Sequence, residues 1–477
     1  MSKTFTPRPY QIIGAQHIAN NPRCALWAGM GMGKTITSLN VLDILYNLVG
    51  ESDPTLILAP LRVARDTWPE ETTKWDHLQG LEVVPIVGTV DERRAALRRR
   101  ANVYSINYEN IPWLVETLKD RWPFRNVIAD ESTKLKSFRH GGYKKDGTVK
   151  KSPGSGGMRA QALAQVAHSK VRRWINLTGT PASNGLQDLW GQTWFLDEGL
   201  RLGRTYGAFE QRWFQAVPGD NGYSQTRPLD FAQDQIQARL KDICLTLDPA
   251  DWFDLEKPII NRIEVNLPKA ARAKYREMEK EFFTQIEGID IEAFSAASKS
   301  QKLLQLASGA IYTSPDPKDD SWAKVHDEKL DALAEIIEES NVPVLCAYHF
   351  VSDRERILKA FPKAVDLATK EGMARFRAGM APLGIAHPQS LGHGVDGLQN
   401  VTNVIAFFSH WWALEYHDQM VERIGPVRQM QAGNNRPVFI HYIVAKGTID
   451  EQVILRHETK RSVQDILLEA MKQKGRP

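Results

Sequence analysis

The chain has 477 residues, too many for one compact core, and its length suits two or three domains. Hydrophobic residues make up 42% and charged residues 25%, the profile of a soluble globular protein. Net charge is only +4, so any nucleic-acid surface has to come from local basic clusters. Cys24, Cys244 and Cys346 are far apart and form no CxxC pair, which argues against a zinc site or a disulfide framework and fits a reducing cytosol. The N-terminus lacks the apolar run of a signal peptide, and no stretch is long and apolar enough to span a membrane, so a cytoplasmic protein with no membrane partner is expected.

Short apolar runs rich in β-branched residues recur at 56–59, 83–87, 103–106, 127–129 and 175–178, then at 344–347, 383–386, 404–408 and 439–444. Helix-like stretches such as 91–100, 330–339 and 353–360 lie between them. Alternation of this kind, appearing twice, predicts an α/β protein with two parallel-sheet lobes. The expected boundary divides an N-terminal lobe, 1–255, from a C-terminal lobe, 256–477. The middle of the chain reads as helical, giving insertions at about 186–250 and about 268–325. The stretch from 139 to 157 is dominated by Gly, Lys and Ser, a flexible-loop signal, and the tail at about 448–475 reads as one amphipathic helix.

The sharpest local signal is Ala28-Gly29-Met30-Gly31-Met32-Gly33-Lys34-Thr35, running into what looks like a helix start. A glycine loop before a helix N-terminus lets backbone N–H groups and the helix dipole hold phosphates. In such a loop Lys34 reaches the β and γ phosphates and the Thr35 hydroxyl sits on Mg²⁺. The strict pattern asks for glycine where Ala28 stands, and taken alone the segment also fits a glycine-rich turn with a chance Lys-Thr. Further on, the run 127–129 ends in Asp130-Glu131-Ser132-Thr133. Phosphoryl transfer needs two carboxylates, one to anchor the metal (Asp130) and one to orient the attacking water (Glu131). An ordinary strand-to-loop junction is the plainer alternative.

With Leu177-Thr178-Gly179-Thr180-Pro181 added, the sequence closely resembles superfamily 2 helicases, specifically the Swi/Snf-like translocase group, over nearly its whole length. Arg8-Pro9-Tyr10-Gln11 is similar to the group's adenine-recognition motif, Gly31-Met32-Gly33-Lys34-Thr35 to motif I and Asp130-Glu131-Ser132-Thr133 to motif II. The 177–181 segment resembles motif III, the segment 390–399 with Gly394 and Asp396 resembles motif V, and Gln419-Met420-Val421-Glu422-Arg423 opens motif VI. The compact size and the tail Ser462-Val463-Gln464-Asp465-Ile466-Leu467 look most like phage- or prophage-encoded members, implying the cytoplasm of a bacterial host.

The resemblance implies two RecA-like lobes that bind ATP and Mg²⁺. Arg8, Gln11, Gly29, Gly31, Gly33, Lys34 and Thr35 would hold the nucleotide from the first lobe, and Gly394, Asp396 and Gln419 from the second. It makes Thr178 and Thr180 coupling residues and arginines of motif VI the groups that close on the phosphates. Two departures stand out. Ala28-Gly29 occupies positions where the group carries acidic residues, and Pro426 takes the slot of a second motif VI arginine. Arg428, two positions later, is therefore expected to share the arginine-finger role with Arg423.

Duplex DNA is the implied partner, contacted through its phosphates. Lys144, Lys145, Lys150 and Lys151, and the arginine run 93–100, are the candidate contacts, with solvated charged faces as the alternative. The aromatic-rich stretch 190–213 reads more readily as helical core than as a stacking surface. The competing activities are strand separation on branched DNA or RNA, a DNA-binding module with weak catalysis, and a motor that needs a protein partner in a replication, repair or restriction assembly.

Overall fold

The apolar runs become the central strands of two parallel sheets. The computed structural model describes residues 4–29, 31–139, 157–182, 185–218, 224–286, 300–314, 316, 319–391, 395–434, 436–455 and 457. The chain divides into two compact units, the first built on Met1–Trp252 and the second on Phe253–Arg461.

In the first unit the strands are β1 (Arg23–Ala28), β2 (Thr55–Ala59), β3 (Val83–Ile86), β4 (Val103–Asn107), β5 (Asn126–Asp130), β6 (Arg173–Thr178), the hairpin pair β7 (Phe214–Pro218) and β8 (Ser224–Pro228), and β9 (Cys244–Leu247). Seven of them form one sheet in the order β3-β4-β2-β5-β6-β1-β9, every neighbouring pair parallel. Helices cover both faces of such a sheet, so its inner strands are buried throughout and read as unbroken apolar runs. β2 and β4 are buried at every residue.

The second unit repeats the plan. Its strands are β10 (Ile259–Val265), the short antiparallel pair β11 (Ala310–Tyr312) and β12 (Trp322–Lys324), β13 (Val344–Ala347), β14 (Val365–Asp366), β15 (Leu383–Ala386), β16 (Val404–Phe407) and β17 (Phe439–Ala445). Six of them form a parallel sheet in the order β10-β17-β16-β13-β15-β14.

The middle of the chain is less uniformly helical than its composition indicates. Pro218 ends β7, which pairs antiparallel with β8, while Gly219 and Asp220 lie outside the described residues; β9 and β10 are sheet-edge strands. The aromatic stretch is core: Trp190, Trp194 and Trp213 are all buried, with Phe138 and Phe195 packed among them. Residues 458–475, most of the expected C-terminal helix, lie outside the described residues, as do 287–299 within the second insertion. No helix among the described residues is long and apolar enough to cross a membrane.

Candidate nucleotide site

Three strand ends meet on the C-terminal edge of the first sheet. β5, β6 and β1 are consecutive neighbours. In register, Asp130 lies opposite Leu177 and Thr178 opposite Trp27. The loop after β1, the carboxylates ending β5 and the threonines ending β6 are therefore adjacent, although nearly 150 residues of sequence lie between Gly31 and Thr178.

The glycine loop turns into helix α2 (Lys34–Asn47) through Gly33, which caps the helix at φ 73°. Glycine alone adopts that conformation without strain. A Cβ on Gly33 would also collide with the amide nitrogen of Gln11, so the side chain of Gln11 lies directly against the loop. Gln11 belongs to helix α1 (Pro9–Asn20), where its Oε1 accepts from the backbone N–H of Arg8 at 2.9 Å. Beside it is a groove of ≈ 220 Å³ lined by Phe5, Pro7, Ile12, Thr37 and Asn40 among others. Lys34 Nζ donates to the carbonyls of Ala28 at 2.8 Å and Gly29 at 3.4 Å, so it lies along the loop.

Asp130 and Glu131 have distinct surroundings. Asp130 Oδ2 accepts from Trp68 Nε1 at 2.9 Å. Burial pushes its carboxyl up to about 6; Lys34 opposes the rise and Glu131 adds to it. A half-buried carboxylate of this kind, with the Thr35 hydroxyl, would leave other positions to phosphate oxygens and water, which is how Mg²⁺ is usually held. Glu131 sits at φ 63°, a left-handed conformation that is costly for a residue with a Cβ. Its Oε1 accepts from both Thr133 and Thr178 at 2.9 Å, and Thr178 Oγ1 in turn accepts from the N–H of Thr180 at 3.1 Å. The Tyr108 hydroxyl donates to the carbonyl of Asp130 at 2.9 Å and bonds that of Glu131 at 3.4 Å, bracing the strained turn from below. Trp68 and Tyr108 stand in no motif, so the sequence did not mark them.

In the second unit Arg423 caps the helix Leu414–Glu422 and its Nη1 donates to Val395 O at 3.0 Å. Pro426 begins a new helix, Pro426–Gln431. First-turn proline is well tolerated there, because its missing N–H has no partner inside the helix anyway. Arg428 follows two residues later and pairs with Asp396 Oδ1 at 2.7 Å. Asp396 is held as well by Gln399 at 3.1 Å and, through its carbonyl, by Arg377. Gln419 is fully buried and donates to Glu415 at 3.3 Å. The structure thus brings Asp396, Arg423 and Arg428 onto neighbouring segments; Gly394 lies outside the described residues.

The basic clusters differ. Lys144, Lys145, Lys150 and Lys151 lie outside the described residues. In the arginine run, Arg93 covers Trp113 at 4.2 Å, Arg94 pairs with Asp91 at 3.7 Å and Arg99 pairs with Glu82. The run ends just before β4 begins, on the edge of the parallel sheet opposite the glycine loop.

A model of the SNF2-related domain matches residues 15–150. The p41 protein of Acyrthosiphon pisum secondary endosymbiont phage 1 is 53% identical over 477 residues, covering 99% of this chain and all of p41. The human DNA annealing helicase and endonuclease ZRANB3 is 26% identical over 91% of this chain, and the chain spans 37% of its length. Arabidopsis thaliana CHROMATIN REMODELING 5 is 25% identical over 41% of this chain, which spans 11% of that protein. Among solved structures, the Sulfolobus solfataricus SWI2/SNF2 ATPase core in complex with dsDNA is 21% identical, covering 99% of this chain and 95% of its own, at a TM-score of 0.43. With p41 aligned end to end and the SNF2-related match lying over the glycine loop and both carboxylates, the chain belongs to the Swi/Snf-like superfamily 2 ATPases, in their compact phage type.

Proposed function

We propose that the chain is a DNA-dependent ATPase that tracks along double-stranded DNA. The observation that carries the reading is the bond from Thr178 to Glu131, which ties the end of β6 to the carboxylate proposed to orient water. A loop that feels the nucleic acid strand through Thr178 and Thr180 would then set the position of the hydrolytic carboxylate. The name of ZRANB3 supports DNA as the partner.

In this reading Lys34 exchanges the carbonyls of Ala28 and Gly29 for the β and γ phosphates of ATP, while Gly31 and Gly33 offer backbone N–H groups and Gly29, whose N–H donates to Leu247 O at 3.3 Å, shapes the start of the loop. Arg8 and Gln11 hold the adenine end. Thr35 and Asp130 would hold Mg²⁺, which when bound neutralises charge on the phosphates. Glu131 orients the attacking water and takes up its proton. Closure of the two lobes brings Arg423 and Arg428 to the γ phosphate, with Asp396, Gly394 and Gln419 shaping their approach. Asp396, bonded to Nη1 of Arg428 at 2.7 Å, would orient that guanidinium. Lys144, Lys145, Lys150 and Lys151 are proposed as strand contacts. The relation to p41 supports work inside a bacterial host cell, in DNA replication, recombination or repair, with room for a protein partner.

Displacement of a third strand from duplex DNA separates tracking from strand separation. We expect ATP-dependent release of a triplex-forming strand by the wild-type chain, and no unwinding of a forked duplex of the same length. Fork unwinding without triplex release would make the protein a strand-separating helicase instead.

A further inference from the structure

Gln192 lies outside every nucleotide-site motif, on the fully buried helix Asp188–Asp197, yet its side chain is bonded at both ends. Its Oε1 accepts from Ser132 Oγ at 2.8 Å. Its Nε2 donates to Pro181 O at 2.7 Å and Asp188 O at 2.9 Å. Ser132 immediately follows Glu131, and Pro181 immediately follows Thr180. One amide therefore bridges the carboxylate turn and the threonine loop. Its orientation is fixed chemically, because both carbonyls facing Nε2 only accept.

The helix is pressed onto that turn by its backbone. A Cβ on Gly191 would stand 2.6 Å from Lys136 O and 2.7 Å from Leu135 O, so only glycine allows this approach. Lys136 also pairs with Asp188 at 3.4 Å. Asp188, Gly191 and Gln192 share one helix face by their spacing of three and four, and that face is the one that meets the turn. The Gln192 carbonyl, finally, accepts from Asn176 Nδ2 on β6 at 3.0 Å, anchoring the same residue to the strand that ends in Thr178.

We propose that Gln192 is a positioning residue that makes the Glu131 turn and the 178–181 loop move as one body during ATP hydrolysis. The inference rests on the reading of Glu131 as the water-orienting carboxylate. Gln192 touches neither phosphate nor metal in this scheme; it acts through Ser132 and Pro181. A side chain that only filled space would affect folding and leave the turnover of folded protein alone.

The experiment is a double-mutant cycle of Gln192→Leu, which keeps volume but removes the bonds, and Ser132→Ala, the milder partner. kcat and KM for ATP are measured on the full chain with saturating duplex DNA, alongside melting temperature and Glu131→Gln. We expect Gln192→Leu to lower kcat by about tenfold with KM within about twofold, and Ser132→Ala to lower it less. We expect the double variant to be no slower than Gln192→Leu alone, because both remove the same bridge. If Gln192→Leu does not fold, Ser132→Ala carries the test, and a kcat unchanged in it overturns the inference. Additive losses, or a melting shift with kcat intact, overturn it as well. Full turnover by Glu131→Gln would instead overturn the reading of the site on which it rests.

Discussion

Glu131→Gln is expected to lower ATP turnover by about two to four orders of magnitude while ATP stays bound, the loss typical of removing a positioned general base. The substitution isolates chemistry from structure unusually well at this position. Thr133 and Thr178 both donate to Oε1 of the carboxylate, and the carbonyl oxygen of a glutamine accepts the same two bonds. The left-handed backbone of Glu131 asks no more of glutamine than of glutamate. Only the negative charge and the capacity to take a proton disappear. Glu131→Ala, by contrast, strands two buried hydroxyls, each at a cost of about 1–3 kcal/mol, and mixes the two effects. Single-turnover hydrolysis beside equilibrium binding of a fluorescent ATP analogue makes the distinction. Wild-type chemistry in Glu131→Gln would remove Glu131 from the mechanism.

The largest effect on stability is expected in the second unit, from Lys329→Met. Lys329 and Asp450 form an ion pair at 2.7 Å with both side chains at 0% exposure, and Asp450 also accepts from the N–H of Ala445 at 3.0 Å. Removing the cation leaves a buried carboxylate unpaired, which typically costs about 3–5 kcal/mol. Replacing both partners with apolar residues, as in Lys329→Met with Asp450→Leu, should recover most of the loss, because no charge is then left inside.

The pH dependence follows from the titration of Asp450. Burial pushes its carboxyl up, but the charges of Lys329 and His410 and its own hydrogen bonds outweigh that and hold it below the usual value of 3.8. A lowered folded-state pKa gives stability that is present above the unfolded value and lost as pH falls through the folded one. In Lys329→Met the sign reverses: the lone carboxylate gains from protonation, so the variant should be less destabilised at pH 5 than at pH 8. Urea unfolding at the two pH values measures this. A loss below about 1 kcal/mol at pH 8 would show that the pair breaks without leaving a buried charge.

What the sequence made legible follows from where each piece of information is stored. Inner strands such as β2, β4, β13 and β16 announce themselves because both faces are buried and most of their residues are apolar. β10 was hidden, since as an edge strand it carries Asn261, Arg262 and Glu264 and stays largely exposed. β1 was hidden for another reason: Arg23 opens it and two alanines dilute its β character before the glycine loop. The groups proposed to carry the chemistry sit in contiguous motifs, legible by residue type and spacing. The groups that position them do not. Trp68 reaches Asp130 across 62 residues and Ser132 reaches Gln192 across 60, and such contacts exist only once the sheet order is set. Pro426 lay between these cases. The sequence marked it as a departure, and the structure shows it starting the helix that carries Arg428 to Asp396.

Steady-state ATP turnover with no nucleic acid, single-stranded DNA, duplex DNA and RNA in turn, beside Lys34→Ala and Glu131→Gln, decides whether the protein is a motor driven by double-stranded DNA. A motor that runs on double-stranded DNA gives strong stimulation by duplex DNA over the other conditions, abolished in both variants. Equal turnover in all four conditions, or stimulation by RNA alone, would contradict a motor that runs on double-stranded DNA.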